Sequence, residues 1–96
     1  MNDPEKTIRD DRAEDRYEME TAGGTAVLGY DLQGDRIVFT HTEVPPADRN
    51  QGLGGRLVRY GLEDAREREL KVVAQCSFVA EYIGEHPEYR GLLAQS

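Results

Sequence analysis

Pro45 and Pro46 divide this chain into two patterns. Neither proline has a backbone N–H to give to a sheet ladder, so a strand that reaches them must stop. Before them the apolar residues recur with a period of two. In "RYEMET" (16–21) Tyr17, Met19 and Thr21 alternate with Arg16, Glu18 and Glu20, the pattern of a half-buried strand. "AGG" (22–24) signals a turn. "TAVLGYDL" (25–32) reads as a second strand with Ala26, Leu28 and Tyr30 on one face, and Gln33, Gly34 and Asp35 turn the chain again. "RIVFTHTEV" (36–44), rich in β-branched and aromatic residues, is a third strand. Three strands joined by short turns predict an antiparallel meander.

After the prolines the period changes. Leu53, Leu57, Val58, Leu62 and Ala65 are helically spaced, with Arg56, Arg59, Glu63, Arg66 and Glu67 between them, predicting a helix to about Glu69. "LKVVAQC" (70–76) is a fourth strand, and a helical crossover makes it parallel to the third. "SFVAEYI" (77–83) predicts a short helix that stops near Gly84, with Ser77 as its cap. "HPEYRGLL" (86–93) predicts a last helical turn or two, opened by Pro87. The expected fold is a mixed α+β domain of order β-β-β-α-β-α over residues 15–96. Residues 1–14, densely charged and almost without apolar side chains, are expected to be a flexible tail.

Composition narrows the function. The 96 residues suit one domain. Twelve basic against 19 acidic residues give a net charge of −7, which argues against nucleic acid as the main partner. No apolar run approaches a membrane span, and the polar N-terminus has no signal core. The single cysteine, Cys76, excludes an internal disulfide and a Cys-rich zinc site, and the two histidines offer no ligand spacing, so no metal is expected. A reducing cytoplasm is the expected compartment, and a monomer or weak dimer the expected state.

Ligands of open sheets favour the carboxyl ends of parallel strands. Residues 44–55 and 76–82 both fall at such ends. In the first, "RNQGLGGRLV" places Gly52, Gly54 and Gly55 at the start of a helix. The glycines by themselves fit either a tight corner or an anion seat, in which unpaired helix N–H groups meet a phosphate and Arg49 and Arg56 add charge. The spacing is neither G-x-x-x-x-G-K-[ST] nor G-x-G-x-x-G.

The segment Arg49 to Gly54 matches Q/R-x-x-G-x-G/A and resembles the acetyl-CoA pyrophosphate loop of the GNAT acetyltransferase superfamily. "THTEVPPADRNQGLGGRLV" and "LKVVAQCSFVAEYIGEHPEY" resemble a small single-domain GNAT subgroup over about residues 16–90. Asn50 stands where that subgroup usually has Gly. The resemblance implies acetyl-CoA as cosubstrate and an amine acceptor, either a small molecule or a protein amine. It implies that the third and fourth strands part at their ends. Pantetheine would then lie along the backbone of Thr42, Glu43 and Val44, and the pyrophosphate on the N–H groups of Gln51, Gly52, Leu53, Gly54 and Gly55, near Arg49 and Arg56. The N-terminal helices that build the acceptor side in larger GNAT enzymes have no counterpart here, so the acceptor side is expected to be open or completed by something else. A CoA- or acyl-CoA-binding module without catalysis is the alternative reading.

Four residues are candidates for chemistry. Cys76 ends a strand and precedes a helix, which lowers a thiol's pKa; it reads as a nucleophile that takes the acetyl group, as a residue that lines the thioester, or as a small buried cysteine, and the resemblance to the subgroup's "CSFV" implies a functional role without deciding among them. His41 and Glu43 lie two apart on one face of the third strand, with Ile37 and Phe39. That suits a base and a rim carboxylate, or for His41 a core residue. Many GNAT enzymes have a tyrosine on the helix after this strand that protonates the departing CoA thiolate; Tyr82 lies on that helix but six residues after Cys76, and core packing with the hydroxyl at the surface is the alternative reading.

Overall fold

The computed structural model describes residues 8–49 and 51–94. Five strands form one sheet in sequence order: β1 (Ile8–Asp11), β2 (Arg16–Thr21), β3 (Gly24–Gln33), β4 (Arg36–Glu43) and β5 (Lys71–Ala74). The first four are antiparallel neighbours, and β5 lies parallel to β4. A 3-10 turn (Pro46–Asp48) follows β4 and leads to α1 (Leu53–Glu67). Helix α2 (Ser77–Glu85) follows β5, and a 3-10 segment (Pro87–Leu92) ends the fold. The expected mixed sheet with helices, and the parallel β4–β5 crossover, are both present.

The sheet has one strand more than the sequence pattern predicts. β1 occupies part of the expected flexible tail, and residues 1–7 of that tail lie outside the described residues. Its four residues carry a single apolar side chain, Ile8, which is buried opposite Met19. The charged residues order the rest. Arg9 and Arg16 both donate to the Glu18 carboxylate, at 2.8 Å from each Nε. Asp10 accepts a bond from the Tyr30 hydroxyl at 2.5 Å. Charge that reads as solvated tail is here the pairing chemistry of an edge strand.

The second departure lies in β4. Tyr30 pairs with Phe39, but Gly29 pairs with His41, so Thr40 has no partner on β3. This is a β-bulge: one extra residue advances the in–out alternation by one. Before it, Ile37 and Phe39 face the helices; after it, Thr42 does, opposite Leu28. His41 and Glu43 therefore stand on the other face, and the expectation that they share a face with Ile37 and Phe39 is corrected. The His41 ring lies over Gly29, where it would collide with an added Cβ.

The core forms on the helix side. Tyr17, Leu28, Ile37 and Phe39 from the sheet meet Leu57, Val58 and Leu62 of α1 and Val79 and Ile83 of α2. Tyr17 is fully buried, its ring 5.1 Å from Tyr30, and its hydroxyl donates to Asp64 Oδ2 at 2.7 Å. Helix α1 ends at Glu67, because Glu69 takes φ +57° and the Leu70 N–H returns to the Ala65 carbonyl at 2.9 Å. Leu93 then bridges Val72, which places the end of the fold against the outer side of β5.

Candidate functional site

β4 and β5 stay in register from Arg36 and Lys71 to Phe39 and Ala74, and the Cys76 N–H donates to the Phe39 carbonyl at 3.0 Å. There the strands part. β4 continues beside β3 to Glu43, while the chain after β5 turns into α2. This explains why β5 is shorter than the apolar run 70–76. A cavity of about 680 Å³ opens at the end of β4.

The cavity's walls come from three elements. Thr42, Glu43 and Val44 supply the strand side. Asp48 and Arg49 supply the loop, and Gly52, Leu53, Gly54 and Gly55 the start of α1. Phe78 of α2 closes the third side. Eight residues that the sequence singles out are thus brought together. Gln51 and Arg56 are exposed and do not line the cavity.

The N-terminus of α1 is arranged as an open cap. Gly52 is the cap residue in the left-handed region, φ +73°, a conformation costly for a residue with a Cβ. It contributes no capping side chain, and the first turn contains no acidic residue. The first N–H groups of such a helix keep their partial positive charge for a ligand. Gly54 is small for a different reason: a Cβ there would meet the Phe78 ring at 3.0 and 3.1 Å. A Cβ on Gly55 would meet Tyr82 at an ordinary 3.6 Å. The glycine run therefore leaves the start of α1 uncapped and permits the close approach of α2.

Cys76 is the N-cap residue of α2, the place expected for Ser77. Its thiol is partly exposed, and Thr42 Oγ1 lies 3.5 Å from Sγ. Burial pushes the thiol's pKa up, but the Thr42 hydroxyl and the N–H groups of Val79, Phe78 and Thr42 outweigh it and hold the thiol below its ordinary value. Cys76 sits beside the cavity rather than among its lining residues.

The other chemical candidates are spread out. Glu43 is exposed at the cavity rim. His41 is exposed on the face away from the helices, with Nδ1 3.1 Å from Thr40 Oγ1. Tyr82 is six residues beyond Cys76, about 9 Å along a helix axis. Its ring stacks on His86 at 4.0 Å, and burial pushes its phenol pKa up. Two residues of the cavity escaped the sequence reading. Asp48 is buried and accepts from Thr21 Oγ1 at 2.5 Å and the Gly23 N–H at 3.0 Å; partners 25 and 27 residues away leave no local signal. Phe78 is 42% exposed, an unusual setting for a large apolar side chain, and only its place in "CSFV" hinted at it.

Among the described residues no helix is long and apolar enough to cross a membrane, and no cluster of His, Cys, Asp and Glu could hold a metal. Comparison with known proteins agrees with the geometry. The protein named NATD1 from Gallus gallus is 40% identical over 63 residues, 65% of this chain and 57% of that protein. NATD1 from Homo sapiens has the same identity over 56% of its length, so the chain spans a little over half of these relatives. NATD1 from Xenopus tropicalis is 32% identical over 90 residues, 88% of this chain and 83% of that protein. The profile of the GCN5-related N-acetyl-transferase family matches residues 16–92, from β2 to the last 3-10 segment. With the strands parting beside an open helix cap, this establishes that the chain belongs to the GCN5-related N-acetyltransferase family.

Proposed function

We propose that this protein transfers an acetyl group from acetyl-CoA to an amine. The observation that carries the reading is the parting of β4 from β5 directly beside the uncapped N-terminus of α1. In this reading the pyrophosphate takes the free N–H groups at Gly52 to Gly55, with Arg49 at the cavity wall as flanking cation. Pantetheine lies along Thr42, Glu43 and Val44, and the thioester reaches the region of Thr42 and Cys76. Glu43 at the rim attracts an ammonium acceptor. The ammonium first gives one proton to water; the free amine nitrogen then attacks the thioester carbonyl, the C–S bond breaks, and CoA leaves with the second proton that the nitrogen gives up. The free Cys76 thiol suits a reducing compartment such as the cytoplasm.

A second route is favoured by the lowered thiol pKa. Cys76 would take the acetyl group first, with CoA leaving as thiol, and the acceptor amine would then displace Sγ. Replacing Cys76 by Ala separates the two: activity near wild type sinks the covalent route.

The test of the whole reading is binding, then turnover. CoA at a hundred times its Kd should stabilise the fold by about 2.7 kcal/mol. For a domain of this size that raises Tm by roughly 10–20 °C. Gly55→Asp, whose Cβ would meet Tyr82 at an ordinary 3.6 Å and which adds a negative charge to the first turn of α1, should remove this shift. Acetyl-CoA with a panel of amines should then release free thiol. No Tm shift at millimolar CoA would reject the reading; a shift without thiol release would leave a binding module.

A further inference from the structure

Thr42 contributes more to this site than a stretch of strand backbone. Its Oγ1 lies 3.5 Å from Cys76 Sγ, within reach of a hydrogen bond to sulfur. In a regular strand the contact would not exist. Alternate residues share a face, so an unbroken β4 would put Thr42 with Thr40 and Val38, turned away from the helices. The bulge at Thr40 reverses this and sets Thr42 across from Leu28 on the helix side. Packing helps fix the side chain: its Cγ2 stands 3.7 Å from the point where a Cβ on Gly54 would lie. The methyl thus faces α1 while the hydroxyl faces the N-terminus of α2, where Cys76 sits.

We propose that Thr42 is a positioning residue for Cys76, its hydroxyl holding the sulfur at the point where β4 and β5 part. The inference rests on the acetyl-transfer reading for what the thiol is used for, but not for where it is held. A thiolate can only accept, so the bond to it has one possible sense: the Thr42 O–H donates to Sγ. The hydroxyl therefore favours the charged sulfur over the neutral one. The other groups that bear on the sulfur are the N–H groups of Val79, Phe78 and Thr42, none of them charged. Of the titratable groups on the elements packed around it, His41 and Glu43 of β4 leave by the opposite face. Glu81 and Tyr82 of α2, and Arg56 and Arg59 of α1, are not among its leading influences.

The chain has a single cysteine, so alkylation by iodoacetamide reads Cys76 alone. Its rate is measured against pH for the wild type, Thr42→Val and Thr42→Ser, with CoA absent. Valine keeps the methyl packing and removes the hydroxyl; serine does the reverse. Thr42→Val should move the midpoint of the profile to higher pH and slow alkylation at pH 7 roughly fivefold. Thr42→Ser should restore the wild-type midpoint, which mere packing would not do. A valine profile that superimposes on wild type overturns the inference, as does a serine profile that follows valine. If Thr42→Val does not fold, Thr42→Ala against Thr42→Ser makes the same decision. Because the assay contains no CoA, a threonine-dependent profile in a protein that fails to bind CoA would reject acetyl transfer and keep this inference. CoA-dependent turnover with a flat threonine comparison would do the opposite.

Discussion

Asp48 fixes the loop between the double proline and α1. It is almost fully buried, yet it lines the cavity. One oxygen, Oδ2, accepts from both Thr21 and Gly23, and so ties the loop to the β2–β3 turn. Gly23 makes room for it, since a Cβ there would fall 2.7 Å from that oxygen. Asp48→Ala leaves two donors without their partner. Both bonds are only partly buried, and a hydrogen bond to a charged group contributes about 1.5–3 kcal/mol. Urea unfolding should show a loss in that range, with Asp48→Asn losing less because an amide oxygen still accepts. Equal losses for the two variants would mean that shape rather than hydrogen bonding matters here. At this scale the sequence is least legible. A run such as Gly52 to Gly55 announces itself locally, whereas Asp48 acquires its role only from partners that the fold brings to it.

At the level of elements, periodicity made β2, β3, β4, α1 and α2 readable, because each has an apolar face that must be buried. It failed at β1 and at the bulge for two different reasons. β1 has a single apolar residue and is held by ion pairs and hydrogen bonds across strands, which no hydrophobic period can reveal. The bulge is a property of pairing: only the β3 register shows that Thr40 is unmatched. That one residue moved His41 and Glu43 to a face that the alternation alone did not assign them. β1 also gives the sheet a pH dependence. The Arg16 and Arg9 guanidiniums hold the Glu18 carboxyl below its usual 4.5. A depressed folded value stabilises the fold fully above the unfolded pKa, and that contribution is lost as pH falls through the folded one. Between pH 7 and pH 3 the urea midpoint of the wild type should fall further than that of Glu18→Gln. Parallel falls would show that the arginine pairs contribute nothing to the fold.

At the scale of the whole molecule, one layer of helices packs against one face of the sheet. The other face carries the Glu18 ion pairs, Val27, Val38, His41 and Glu43, with no described helix over it. β1 and β2 are joined by four residues, Arg12 to Asp15, too few to place a helix over that face. The cofactor half of the proposed site was therefore legible in the glycine motif and its neighbours, while the acceptor half has no sequence signal to read. A single sheet also has two borders. On one, Leu93 bridges Val72 and the Ala94 N–H donates to the Val72 carbonyl at 2.8 Å. On the other, β1 is four residues long and three of them, Arg9, Asp10 and Asp11, are charged. Short, charged or occupied margins deny a foreign strand its template. Truncating the chain before Leu93, and so removing the Leu93 and Ala94 contacts, would uncover β5, and light scattering at rising concentration should then report more association than the full chain gives. On this prediction Leu93 and Ala94 keep the sheet finite, a matter of behaviour among many copies rather than within any one.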